Sequence, residues 1–538
     1  MSSTLFFKIT NENENTLIKF DGKNEFYNYV DGLNFFKINR EDTIDPVMRF
    51  NFYEHTEIIK ALLNGLYLRE ILIPVDQKYL KMDYDSTIKR YFSNMIFLGK
   101  KYDFRDLETW KYLVSLGVDI TENGNSLLWA SKGGHTEVVK YLIDYGMSLD
   151  YINKSFVLAS KHGHFEIVKY LLENGADNSF ENYSAFKNAS IFSHKNIVEF
   201  FISGGINIHF DDDYALRLSS EFGQLETVKY LLENGADIHA DNDYALVYAC
   251  KFGHFNVVKF LVESGANINS NNSLALACDN NYLEIVKFLL ENGADIHANN
   301  DRALIWASES YNTNIVKFLI KNGADIHTNE DYVLRKSSED GYLEQVILLI
   351  ESGANVSAKN NYALKMASQN GHLEVVKYLS KNGADIHSDR EYSLIFSSEN
   401  GHLEVVKYLV ECGADIHIDE DYPLKTASKK GHLEIVKYLV ENGADIHIDE
   451  DYPLKTASKK GHLEIVKYLV ENGADIRAND GEALVQASKK GHLEIVKYLV
   501  ENGADIHIDE DYPLKTALKK GHLEIVKYLT ENGAINIE

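Results

Sequence analysis

Residues 421–450 read DYPLKTASKKGHLEIVKYLVENGADIHIDE, and residues 451–476 repeat the first 26 letters without a substitution. The cycle returns at 481–510 and 511–538, and weaker copies run back through most of the 538-residue chain. Recurrence at such a period marks stacked supersecondary units, each burying its apolar face against its neighbours. A Gly-His step tracks the period. It falls at Gly134-His135, Gly163-His164, Gly253-His254, Gly371-His372 and then every 30 residues to Gly521-His522. Degenerate versions stand at Ser193-His194, Gly223-Gln224, Asn281-Tyr282, Tyr311-Asn312 and Gly341-Tyr342. DLETWKYLVSLGVD at 106–119 is a further copy, and HTEIIKALLNG at 55–65 reads as an older, slipped one.

Each unit reads as two short helices. In LEIVKYLVENG, Leu433, Ile435, Val436, Tyr438, Leu439 and Val440 cover one broad side, with Glu434, Lys437 and Glu441 opposite. That spacing is an amphipathic helix, and Gly443 closes it where positive φ is needed. In the preceding run, YPLKTASKK, Leu424 and Ala427 face inward beside the small Ser428, and Gly431 ends the helix. The connecting GADIHIDED is short, polar and turn-like.

The unit resembles the ankyrin repeat. The residues that carry the resemblance are the G-H-x-E-x-V-x-x-L-L-x-x-G-A-D core, as GHFEIVKYLLENGAD at 163–177 and GHLEIVKYLVENGAD at 431–445. It covers the chain from about residue 106 onward. Two departures stand out. The family's Thr-Pro-Leu-His helix start is here Tyr-Pro-Leu-Lys or Tyr-Ala-Leu-x, and the unit is shorter in the loop that normally forms a β-hairpin finger. Blunted fingers are therefore expected, with Asp421 and its equivalents capping the first helix. The short Tyr-Ala-Leu units and the leader (FFKITN, YVDGLNFFK, GLYLREILIP, MIFLGKKYD) also resemble the ankyrin proteins of giant, mimivirus-like DNA viruses.

The fold class expected is an all-α repeat solenoid of ankyrin-type helix-turn-helix units with a small α+β N-terminal cap. Residues 1–84 form the non-repeat capping region, read from alternation in LFFKIT and TLIKF, and 85–538 form the array of about fifteen units of about 30 residues. After the last helix Ala534–Glu538 run out, so that helix's polar face is expected to be its outer surface. A net charge of −26 argues against a nucleic-acid partner. No apolar stretch nears 18 residues, and MSSTLFFKITNENEN lacks a secretory signal's pattern, so a cytoplasmic monomer without membrane contact is expected. Cys250, Cys278 and Cys412 read as reduced thiols, the first two in the small slot of Ser428.

Catalytic and metal chemistry are not expected. Of the twenty histidines, ten sit at the Gly-His step and eight at the loop position of His417. Successive copies lie ~10 Å apart, whereas zinc needs ligands within ~2.3 Å. The acidic loop around Asp445, Asp449, Glu450 and Asp451 lacks the ligand alternation of a calcium loop. No nucleophile, phosphate-binding or dinucleotide motif appears, so no cofactor is expected.

The resemblance implies partner binding on the concave side, through loop tips and the end of the first helix. Residues just before each Gly-His step belong to that strip. Phe192, Phe222 and Phe252 form an aromatic row in three successive units. The final units carry lysine pairs instead: Lys429-Lys430, Lys459-Lys460, Lys489-Lys490 and Lys519-Lys520. Aligned exposed aromatics mark a contact patch; the alternative is that each ring packs on its neighbouring repeat. The lysines fit an acidic partner, or are solvated helix ends. Two functions follow: a scaffold binding partner proteins, host proteins in a virus, or a structural spacer or virion component, for which near-identical repeats suffice. No F-box-like segment linking it to a ubiquitin ligase is evident.

Overall fold

The computed structural model describes residues 6–11, 15–20, 23–28, 32–35, 50–76, 80–87 and 89–535. Residues 1–5 of the leader and 536–538 of the tail lie outside these. The chain forms two compact bodies, residues 1–267 and 268–538.

The first body opens with β-structure. Its strands are β1 (Phe6–Thr10), β2 (Asn15–Phe20), β3 (Lys23–Asn28), β4 (Gly32–Phe35), β5 (Phe50–Glu54), β6 (Tyr67–Leu72), β7 (Met82–Asp85), β8 (Arg90–Ser93) and β9 (Met95–Asp103). Seven pair antiparallel in the order β4-β9-β6-β1-β5-β8-β7, while β2 and β3 form a separate hairpin. Alternation puts Phe50, Phe52, Ile71, Ile96 and Leu98 into one core cluster. The sheet runs past residue 84 to Asp103, and the first array helix begins at Leu107.

HTEIIKALLNG forms a 3-10 helix over His55–Asn64 that buries Ile58, Ile59 and Leu62. It packs against β1 and the helix Asn125–Gly133. Trp129 of that helix donates its indole N–H to Gly65 O at 3.0 Å. Trp110 donates to Phe104 O at 2.7 Å, and the Phe104 ring lies 5.5 and 5.8 Å from the two indoles. This aromatic seal covers the side of the first repeat that has no preceding unit.

Among the described residues the second helix of the unit occurs fifteen times, six in the first body and nine in the second. In Leu433–Glu441, Ile435, Val436 and Leu439 are buried, and Leu433, Tyr438 and Val440 half-buried. Gly443 has φ 101°, and Ala444 N–H reaches Leu439 O while Gly443 N–H reaches Val440 O, each at 3.0 Å. That pair of bonds is a Schellman C-cap. In the first helix Leu424, Ala427 and Ser428 are fully buried. At the last unit Leu523 is 73 % exposed and Leu518 36 % exposed, so the final helices present apolar side chains as well as polar ones. Their counterparts elsewhere are covered by the next repeat.

No strand occurs among described residues 107–535, and the hairpin finger gives way to a left-handed turn. Asp419, Glu420 and Asp421 have φ of 45°, 60° and 52°, and the same triplet recurs at 211–213, 241–243, 299–301 and on to 509–511. Left-handed backbone costs an L-residue about 1–2 kcal/mol, least for Asn and Asp. The acidic look of the loop therefore has a backbone cause. Pro423 then enters the first turn of the right-handed helix, where its missing N–H costs nothing.

Candidate interaction surfaces

The two histidine series serve the stack itself. At the Gly-His step, the imidazole reaches back to the end of the preceding unit's first helix. His432 Nε2 lies 2.8 Å from Glu399 O, His462 Nε2 3.1 Å from Lys429 O and His492 Nε2 3.2 Å from Lys459 O. Each satisfies a carbonyl that the helix terminus leaves open. The loop histidines bind acids in their own turn: His417 Nδ1 is 3.0 Å from Asp421 Oδ1 and His447 Nδ1 3.2 Å from Asp451 Oδ1.

Asp421 does not cap its own helix as expected. Its side chain is buried and accepts the backbone N–H of Asp445 at 3.1 Å, tying its turn to the loop of the following unit. The left-handed backbone at 419–421 places that carboxylate under the next repeat instead of over its own helix. Burial raises the Asp451 carboxyl above the ordinary carboxylate range. The hydrogen bond that His387 donates to the Glu391 carboxylate, 2.5 Å away, raises His387 above its usual value.

A third device uses the basic residue after the buried leucine of the first helix. Arg217 donates to Asp212 O and Asp211 O at 2.8 and 2.7 Å, clamping its own left-handed turn, and reaches Asp241 of the next unit at 2.8 Å. Lys425 bridges likewise to Asp449 at 2.5 Å, and Lys365 to Asp389.

Phe192, Phe222 and Phe252 stand in one row of the first body at 46 %, 49 % and 42 % exposure. Among the described residues no ring contact joins them. Lys161 Nζ lies 5.4 Å over Phe192, and Tyr248 and Lys251 lie 6.1 and 5.4 Å from Phe252. In the second body Lys429, Lys430, Lys459, Lys460 and Lys490 are exposed and Lys489 is partly so. Lys430 pairs with Glu399 at 3.0 Å; among the described residues the other five make no ion pair.

One surface feature was not evident from the sequence alone. Tyr311 and Tyr342 stack at a centroid distance of 3.6 Å, both exposed, where the Gly-His step degenerates to Tyr311-Asn312 and Gly341-Tyr342. An aromatic in either position of that step was the signal. Cys250 and Cys278 are fully buried, burial pushing the Cys250 thiol well up, and Cys412 is exposed. Among the described residues no cluster of His, Cys, Asp and Glu has metal-binding geometry, and no helix is long and apolar enough to cross a membrane.

The sequence profile of ankyrin repeats (three copies) matches in nine overlapping stretches, from 101–182 to 478–538, which together span 101–538. Ankyrin repeat protein R868 of Acanthamoeba polyphaga mimivirus is 43 % identical over 143 residues, 26 % of this chain and 66 % of that protein. An uncharacterized protein of the same virus, R869, is 40 % identical over 145 residues, 26 % of this chain and 97 % of its own. A third mimiviral ankyrin repeat protein, R838, is 40 % identical over 148 residues, 25 % of this chain and 51 % of its own. These curated relatives thus each align with about a quarter of the chain.

Proposed function

The chain belongs to the ankyrin repeat family, and on that premise we propose that it is a non-enzymatic scaffold gripping partner proteins on the concave face of its repeats. Ankyrin repeats are protein-binding modules, and the relatives carry no enzymatic name. The setting we propose is the cytoplasm of an infected host cell, as for a viral protein directed at host partners.

The observation that carries this reading is the row Phe192, Phe222 and Phe252. Three aromatic side chains at equivalent positions of successive units each leave nearly half their surface in water. Aromatic anchors in a row contribute heavily to interfaces. A second reading, a structural spacer or virion component, is favoured by the identity of residues 421–446 and 451–476. Affinity purification of the full chain from amoebal lysate, beside a Phe192/Phe222/Phe252→Ser variant, separates the two. The variant should keep its helical circular dichroism, because the rings are not core. A defined partner lost with the three rings supports the grip; the same partner retained excludes that row. Self-association with no partner supports the structural role.

A further inference from the structure

In four places a cation from one repeat fills the same slot in the next, between an aspartate at the start of the left-handed turn and a tyrosine ring three residues later. In the first body Lys187 lies 3.9 Å from Asp211 and 4.2 Å from the Tyr214 ring. Arg217 lies 2.8 Å from Asp241 and 5.0 Å from Tyr244. In the second body Lys365 serves Asp389 and Tyr392, and Lys425 serves Asp449 and Tyr452. Asp419 follows an isoleucine, Ile395, and takes Arg390 instead. Asp509 is the exception. Val485 stands where the cation belongs, Asp480 stands where Arg390 would be, and among the described residues no cation reaches Asp509.

An open cleft of about 560 Å³ occupies that place, lined by Asn479, Asp480, Glu482, Val485, Ile508, Asp509 and Tyr512. Val485 and Ile508 are its two aliphatic lining residues, and Tyr512 is 42 % exposed. Among the described residues, Glu482 alone of the three carboxylates has a cation nearby, Lys455 at 3.8 Å.

We propose that this cleft is a recognition slot for one arginine or lysine side chain of a partner protein. The carboxylate of Asp509 and the face of Tyr512 would receive the charge, and Val485 with Ile508 the aliphatic stem. The chain's own four slots show that the arrangement accepts a cation. The proposal rests on the scaffold reading but uses a different surface from the aromatic row.

The test is methyl-labelled spectroscopy on the full chain, following the Ile508 methyl during titration with N-acetyl-arginine amide and its uncharged citrulline counterpart. Val485→Lys supplies the internal cation, so the variant should melt higher and bind arginine about tenfold or more weakly, while Asp509→Asn weakens binding without the gain in stability. Citrulline should not bind. The absence of a saturable shift in the parent chain overturns the proposal, as does binding unaltered by Val485→Lys, which would mark diffuse attraction to an acidic surface. Either failure leaves the scaffold standing or falling separately, on the Phe192-dependent capture experiment.

Discussion

The imidazole of His462 occupies the space that a side chain on Gly431 would need: a Cβ built on Gly431 comes within 2.7 Å of the ring. Gly431 also has φ 96°, and the carbonyl of neighbouring Lys429 accepts from the same ring at 3.1 Å. Two requirements, a left-handed helix end and room for the next unit's imidazole, thus meet in one glycine. Gly401 with His432 and Gly461 with His492 repeat the relationship.

Gly431→Ala should accordingly destabilise the array by about 1–3 kcal/mol, from positive φ and the collision together. Urea denaturation of the four corners of a cycle with His462→Ala checks this. Removing the ring should recover part of the cost, whereas strictly additive effects would show that the ring does not press on residue 431.

The hydroxyls of Ser428, Ser458 and Ser488 are buried without a hydrogen-bond partner. Ser458→Ala is expected to raise stability by about 1 kcal/mol, because an unmet buried hydroxyl is removed at little cost in packing. Ser458→Cys should be tolerated, as Cys250 and Cys278 already fill this slot in other units. A lowered melting temperature for the alanine variant would sink the idea.

Glu450 holds φ 56° and ψ 54° at the centre of its left-handed turn. Glu450→Asn should stabilise by up to about 1 kcal/mol and Glu450→Val should destabilise by at least as much, since β-branched residues fit this region worst. Thermal unfolding of the pair should give Asn above the parent and Val below it; the reverse order would deny the turn its handedness.

His387 is raised by Glu391, with Asp385 and Asp415 adding in the same direction. A histidine raised by folding binds its proton more tightly folded than unfolded. Its contribution is complete below the ordinary value of 6.5 and disappears as pH climbs through the raised folded value. The parent should therefore exceed His387→Gln in urea midpoint by more at pH 5.5 than at pH 8.5. A gap independent of pH would show that the pair is not charged in the folded protein.

Much of the architecture could be read from periodicity. Leu424, Ala427, Ile435, Val436 and Leu439 are core residues because a 3.6-residue pattern permits only one buried side, and Gly443 closes its helix as glycine after an apolar run should. What could not be read were contacts between units. Asp421 looked like a helix cap because its partner, the N–H of Asp445, lies 24 residues on and carries no local mark. The imidazole of His462 reaches a carbonyl 33 residues back, equally invisible in a single unit. MIFLGKKYD falls on the array side of the expected boundary at residue 84, because its alternation is broken by a run of exposed polar residues, yet it forms β9 and pairs with two strands of the N-terminal sheet. The rings of Phe192, Phe222 and Phe252 were visible as a row, but their half-exposure depends on neighbours that no single unit displays.

The histidine and aspartate ties bear on how such a gene can grow. Each ends on the adjoining unit: His462 on Lys429, Asp421 on Asp445. A recombination event that inserts or deletes one whole period returns every donor to an equivalent acceptor, and the protein folds at the new length without compensating mutations. Frame-preserving slippage is therefore close to neutral for stability, and copies as similar as 421–446 and 451–476 can persist from a recent duplication. A slip of a residue or two must be absorbed in the loop, as in the 29-residue step from Gly134 to Gly163, across which His164 still reaches Lys132 O at 2.9 Å. The number of units is then free to change, while the tie from each unit to its neighbour is what any change must preserve.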